Sequence, residues 1–248
     1  MPRTLAILGV PVHRYSRAQL QEALTQRLTS PTIPQDPHAR HLITLNPEFL
    51  VRSTEDTAFK AILQQSWCNI CDGAGIQYLA WSLSGTRIER IPGVEVAEML
   101  CHTAEQTGRS LYLLGGAEDV NARAVQALQE RYPSLRIVGH RGGDRNTVYE
   151  DIIALAPDVL LVCYPTPAQH LRCLDYLSRC PSLRIAGGFG GTVDFWAGAI
   201  PRAPQALQSL GLEWLYRLYQ QPHRWQRIVN AVIRFPLLSL REKLQKNT

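Results

Sequence analysis

Short aliphatic runs alternate with segments of helical periodicity along most of this chain, and few folds accept that alternation. "TLAILGV", "HLITLN", "WCNIC", "SLYLLG", "LRIVG", "DVLLVCY" and "LRIAGG" read as strands bounded by turn residues. Between them, "SRAQLQEALTQRL", "EFLVRSTEDTAFKAILQQ", "GVEVAEMLCHTAEQTG", "AEDVNARAVQALQERYP" and "PAQHLRCLDYLSRC" repeat apolar residues at helical spacing. Strands that are apolar throughout need cover on both faces, which implies a mostly parallel sheet between two layers of helices. The expected fold class is therefore α/β and Rossmann-like, with a ligand crevice beyond the carboxyl ends of the strands. After "RAPQALQSLG" the strand signal stops. Residues 1–204 are expected as the Rossmann-like domain and residues 205–248 as a basic, amphipathic helical appendage, broken into short helices by Pro222 and Pro236.

Charge sharpens that division. From Leu212 to Thr248, seven Lys/Arg face two acids, which accounts for the whole formal net charge of +5. A basic tail on a neutral body points to an anionic partner for the tail alone, either phosphate groups or a membrane surface. The tail also carries Trp214, Leu218, Trp225, Ile228, Val232 and Phe235, more apolar bulk than a free solvated helix would hold. Two uses compete for that face: packing on the sheet, or lying in acyl chains with Arg and Lys at the head groups. No nucleic-acid module is recognisable, so nucleic acid is not an expected partner. An undocked tail would leave apolar surface that favours a homo-oligomer.

The opening "MPRTLAILGVPVHRYS" has too short an apolar run for a secretion signal, and no stretch approaches the roughly 20 apolar residues of a spanning helix. The six cysteines are then expected as reduced thiols in a cytosol. "CNIC" resembles half a zinc site, but strand side chains alternate, so Cys68 and Cys71 should face opposite sides of the sheet. Templates for serine hydrolases and zinc proteases find no match, and no D-x-D occurs, so neither a metal nor a cofactor is expected.

The unusual residues collect at the strand ends: "TLNPE", "CDGAG", "LLGGAED", "CYPTPAQH" and "GGFGGTVDF". Asp72 in "CDGAG" has two readings. It is an N-cap for the helix that begins near Ala74, or a carboxylate that takes a proton from a substrate hydroxyl. "LLGGAEDV", with Gly115 and Gly116, is a strand–glycine–helix junction suited to nucleotide phosphate or ribose. "DGAGIQY" approaches a dinucleotide fingerprint, with Tyr78 at the third glycine position and Glu95 where a ribose-binding acid would sit. An NAD-linked oxidoreductase is thus one alternative.

Together, "TLNPEFL", "CDGAGI", "RIPGVEV", "LYLLGGAEDV", "YPSLRIVGHRGG", "GGTVDFWAGAIPRAP" and "LEWLYRLYQQPHRWQR" resemble the WecG/TagA/CpsF glycosyltransferases, glycosyltransferase family 26, in order and spacing. The resemblance implies an inverting, metal-independent transfer of a sugar, often of N-acetylmannosamine type, in cell-surface polysaccharide biosynthesis. The donor is a UDP-sugar and the acceptor a polyprenyl-pyrophosphate-linked saccharide at the cytoplasmic membrane face. It implies that the enzyme is cytoplasmic and peripheral on the inner face of the plasma membrane, docked through residues 205–248. By the same resemblance Asp72 is the general base, and Thr44 and Asn46 line its pocket. Gln169, Gly115, Gly116 and Asp194 lie about the donor; apart from the resemblance, backbone amides at helix N-termini and Arg90 are expected to meet the charge of leaving UDP. Arg217, Arg224 and Arg227 hold the acceptor's phosphates. Two places depart from the family pattern. "YPTPAQH" has Ala168 for a lysine and His170 for a glutamate, and "RIPGVEV" has Glu95 for an aspartate; both are expected beside the donor pocket. The first departure motivates a second alternative, a catalytically silent membrane-docking subunit.

Overall fold

The structure, a computed structural model, describes residues 3–144, 150–222 and 225–246. Its sheet has eight strands: β1 (Thr4–Ile7), β2 (Val10–His13), β3 (His41–Leu45), β4 (Cys68–Cys71), β5 (Ser110–Gly115), β6 (Arg136–Arg141), β7 (Val159–Cys163) and β8 (Ile185–Gly188). They lie in the order β1-β2-β4-β3-β8-β7-β5-β6, and every pairing is parallel except β1 with β2. A mostly parallel, Rossmann-like sheet flanked by helices is therefore what the chain forms. The carboxyl ends of β3, β4, β5, β7 and β8 share one rim.

"TLAILGV" is two strands where one was expected. Leu8 and Gly9 both take positive φ, 51° and 74°, the backbone of a two-residue hairpin turn. The chain therefore doubles back at the sheet edge. A Leu-Gly pair is a poor turn signal, which is why the apolar run reads as continuous.

One face of the sheet is covered by α1 (Arg17–Thr29), α5 (Gly93–Thr107), α6 (Glu118–Arg131) and α9 (Thr192–Trp196), which share a single core cluster. On the other face, α2 (Pro47–Ser53), α3 (Thr57–Gln65) and α4 (Ala74–Ser84) cover one half. There α7 (Glu150–Leu155) and α8 (Ala168–Arg179) cover the rest. Cys68 belongs to the first cluster and Cys71 to the second, so the two thiols do face opposite ways. All six cysteines are buried and unpaired by disulfides. At the amino ends of the strands, Asp158 draws β5, β7 and β8 together. It accepts from the Ser110 backbone N–H (3.0 Å) and hydroxyl (2.9 Å) and from Arg184 Nε (3.1 Å). These donors hold its carboxyl below the ordinary carboxylate range against the opposing effect of burial.

The C-terminal region contains α10 (Gln205–Ser209), α11 (Glu213–Gln220), α12 (Trp225–Val229) and α13 (Phe235–Lys246). Pro236 was expected to end a helix, yet it lies inside α13. A π turn over Asn230–Arg234 joins α12 to α13, and the Phe235 N–H reaches back to the Asn230 carbonyl. The wider pitch just before Pro236 relieves the clash a proline ring makes with the preceding turn. Phe235 itself is wholly buried in the cluster that covers β3 and β4. Two further ties hold this region: Arg234 pairs with Glu55, and the Leu8 N–H donates to Glu242 Oε2 at 2.9 Å. No helix among the described residues is long and apolar enough to cross a membrane.

We propose the boundary at residues 204 and 205 as the edge of the catalytic unit, with Phe235 as the main link across it. Replacing Phe235 by Ala should destabilise the protein by about 3–5 kcal/mol, the usual cost of emptying a buried aromatic site. Urea unfolding followed by circular dichroism measures this; a loss under about 1 kcal/mol would show that α13 contributes nothing to the body.

Candidate active site

Two turns at the sheet rim build the centre of the site. In the first, Asn46 caps α2: its Oδ1 accepts from the Phe49 N–H at 3.1 Å, and Pro47 follows in the first helical position. In the second, the Asp72 N–H donates to the Leu45 carbonyl at 2.9 Å, continuing the β3–β4 pairing one step past the strands. Gly73, one residue after Asp72, occupies the N-cap position of α4. The Gly73 backbone lies against Pro47, where an added Cβ would stand 2.3 Å from the ring Cδ. At the start of α5, a Cβ on Gly93 would meet Thr44 Oγ1 at 3.1 Å and Asp72 Oδ2 at 3.4 Å. The threonine hydroxyl and the carboxylate thus border one glycine. Asp72 is half-buried and Thr44 buried, so both sit at the floor of an opening.

Two cavities meet there. The first, of about 610 Å³, runs between α4, the start of α5 and the C-terminal helices. Its walls are mainly apolar and include Tyr78, Leu79, Val94, Phe195, Trp214 and Val232. The second, of about 600 Å³, opens among the loops after β5, β6, β7 and β8, with Gly116, Gly143, Asp144, Thr166, Gln169 and Asp194 in its walls. Six residues line both: Thr44, Asn46, Asp72, Phe189, Gly191 and Arg227. Among the described residues, Asp72 is the single carboxylate in that shared wall and Arg227 the single cation.

The other residues singled out from sequence divide between the two spaces. Gln169, Gly116 and Asp194 line the second cavity, whereas Arg90 lines the first. Gly115 lines neither and acts from behind. With φ at 108° and a would-be Cβ 2.6 Å from the Cys163 carbonyl, it lets the turn after β5 close against β7. Arg227 pairs with Glu48 at 2.6 Å. Arg217 belongs to α11, but its side chain lies outside the described residues, as does the whole of Arg224. Gly143, Asp144 and Thr166 escaped notice in the sequence as site residues. "CYPTPAQH" carried the signal for Thr166 and "HRGG" that for the next loop, since the Gly143 N–H donates to the Gly116 carbonyl at 2.8 Å and brings its loop over the glycine turn.

A model of the "Glycosyl transferase WecG/TagA/CpsF family" matches residues 5–248. The chain belongs to this family of glycosyltransferases. Among curated relatives, the N-acetylglucosaminyldiphosphoundecaprenol N-acetyl-beta-D-mannosaminyltransferase of Bacillus subtilis (strain 168) is 30% identical over 209 residues, covering 83% of this chain and 80% of the relative. A protein of the same name from Staphylococcus aureus (strain MRSA252) is 28% identical over 225 residues, 90% of this chain and 85% of its own length.

Neither departure from the WecG/TagA/CpsF pattern puts its side chain into a cavity wall. Glu95 lines neither cavity and pairs instead with Arg17 (2.8 Å) and Arg202 (3.5 Å). A ribose-binding role has no geometric support there. Ala168 and His170 also line neither cavity. His170 is wholly buried, edge-on to Phe49 with ring centres 5.1 Å apart, and 3.3 Å from His41 across the imidazole nitrogens. Burial pushes His170 down to about 3 and lowers His41 as well, the latter helped by its imidazole neighbours.

Both histidines are thus neutral in the fold and charge readily once unfolded. Below their ordinary value near 6.5 the unfolded chain binds more protons, so stability is full above that pH and drains as pH falls toward 3. The melting temperature should hold level above pH 7 and drop progressively from pH 6.5 to 4. His170→Gln should flatten that drop in a fluorimetric melt series, and an unchanged slope would contradict this account.

Proposed function

We propose that this glycosyltransferase moves a sugar of N-acetylmannosamine type from a UDP-sugar to a hydroxyl of a polyprenyl-pyrophosphate-linked saccharide, with inversion and without a metal ion. The supporting observation is that one carboxylate, Asp72, lies in the wall shared by a polar cavity and an apolar one. Group transfer between a soluble nucleotide and a lipid-linked acceptor needs two such spaces with a base between them. The donor's uridine and phosphates take the glycine-lined cavity, where Gly116, Gly190 and Gly191 let the backbone come close. The acceptor's lipid end takes the apolar cavity beneath the C-terminal helices. Curated relatives whose names specify an N-acetylmannosaminyl transfer to a diphosphoundecaprenol-linked N-acetylglucosamine support this choice of donor and acceptor.

In the proposed step, Asp72 accepts the proton of the acceptor hydroxyl as that oxygen attacks the anomeric carbon. The bond from that carbon to the UDP oxygen breaks on the opposite side, and UDP carries away the electron pair. Asn46 and Thr44 flank the attacking oxygen; Asn46 is held in place because its carbonyl oxygen is committed to the α2 cap. Arg227 faces the charge of the phosphates, a task suited to a forked guanidinium.

We further propose that the enzyme works as a peripheral protein on the inner face of the plasma membrane, in cell-surface polysaccharide biosynthesis. Tyr78 and Trp81 on α4 and Leu237 and Leu244 on α13 are more than half exposed. With the basic residues of the tail, they form a surface suited to an anionic bilayer.

Asp72→Asn should abolish UDP release with a lipid-pyrophosphate acceptor analogue while leaving the affinity for UDP near the wild-type value. Turnover retained within tenfold would remove Asp72 from the role of base. Arg227→Ala should raise the KM for that acceptor about 10- to 100-fold, as expected for the loss of a charge-assisted hydrogen bond of about 1.5–3 kcal/mol; an unchanged acceptor KM would assign the phosphates elsewhere.

A further inference from the structure

Gln169 spans the second cavity's wall, and its hydrogen bonds fix the protonation of a buried chain behind it. The Gly190 N–H donates to Gln169 Oε1 at 2.8 Å. A backbone N–H can only donate, so the amide orientation is set, and Gln169 Nε2 faces Thr166 Oγ1 (3.3 Å) and His170 Nε2 (3.1 Å). The amide donates to both. His170 Nε2 must then offer a lone pair and carry its proton on Nδ1, which donates to His41 Nε2 at 3.3 Å. His41 in turn holds its proton on Nδ1, and among the described residues that atom has no partner.

The chain is therefore Gln169 to His170 to His41, every link neutral, ending on a buried orphan N–H. Its front end is a crossbar. Through Thr166 and Gly190, Gln169 ties the loop after β7 to the loop after β8, lying flat on Gly188, where an added Cβ would meet its Cδ at 2.7 Å. The surroundings of His170 are the rings of Phe49, Phe59 and His41. A carboxylate at residue 170 could accept from the Gln169 amide, but it would place a charge among those rings. A neutral imidazole supplies the acceptor without that cost.

We propose that His170, seated on His41, is a positioning residue for the nucleotide cavity: it holds the Gln169 crossbar that sets the spacing of the two loops expected to grip the UDP end of the donor. This rests on the transferase reading for the identity of the ligand, but not for the crossbar itself. It also assigns the "YPTPAQH" departure to the support behind the pocket, so that the departure by itself is no sign of a silent enzyme.

The test compares the full-length wild type with His170→Phe, which keeps an aromatic ring in the cluster but removes the acceptor, and His170→Gln, which restores an acceptor oxygen near Nε2. Hydrogen exchange of the 188–191 segment should quicken about tenfold or more in His170→Phe and return toward the wild-type rate in His170→Gln. The Kd for UDP by titration calorimetry should weaken about tenfold in the first variant and recover in the second, the size expected for one lost hydrogen bond. Should His170→Phe fail to fold, His170→Met supplies the acceptor-free variant. Unchanged exchange in the 188–191 segment would overturn the crossbar whatever UDP does. Faster exchange with an unaltered UDP Kd would overturn its assignment to the nucleotide cavity. Absence of UDP binding by the wild type would count against the transferase reading instead, and the exchange comparison would still decide the crossbar.

Discussion

The Pro47 ring resting on the Gly73 backbone sets the spacing of the whole site. It brings the turn after β3 against the turn after β4 more closely than any residue with a Cβ would allow. Thr44, Asn46 and Asp72 consequently stand in one wall instead of along separate strand ends. Gly93 completes the arrangement by letting α5 begin directly over the threonine hydroxyl and the carboxylate. A parallel sheet supplies a rim of strand ends as a matter of topology. What turns that rim into a site is the approach of these loops to within van der Waals distance, which depends on two glycines and a proline.

The second consequence of that geometry is a division of labour between two spaces of similar volume and opposite character. Among the described residues, the lining of the glycine-rich space lies before residue 205 apart from Arg227, whereas the apolar one is roofed by helices from the last forty residues. What holds the roof is chiefly Phe235. Partly exposed ion pairs such as Arg227 with Glu48 contribute about 0–1 kcal/mol each. Full burial of an aromatic side chain contributes about 1.5–3 kcal/mol from transfer alone. The ion pairs are better suited to setting direction and exchange of partners than to anchoring.

Much of this was legible in the amino-acid order, for reasons that can be stated. Continuous apolar strands reveal a covered parallel sheet because only that environment accepts them, and strand alternation placed Cys68 and Cys71 on opposite faces. The glycine pairs marked the strand ends because turns that tight exclude side chains. The hairpin at Leu8 and Gly9 was hidden because neither its residues nor its hydrophobic pattern signals a reversal. Pro236 misled because its usual effect on a helix is cancelled by a π turn that no local pattern announces. The part played by His170 could not be read at all: its partner His41 is 129 positions away, and its burial is set by Phe49 and Phe59 from other helices.

The distribution of sulfur in the core has a practical consequence. The thiols of Cys68 and Cys101 lie in one core cluster, Cys71 in another and Cys173 and Cys180 in the third. Burial raises the ionisation of Cys71 and Cys163 to about 12 and that of Cys68 and Cys101 further still. All six thiols are buried, so an electrophile in the medium reaches none of them until a layer opens. Because each layer carries its own sulfur, the order in which these positions become alkylated would trace which side of the sheet gives way first, with no foreign label added to the chain.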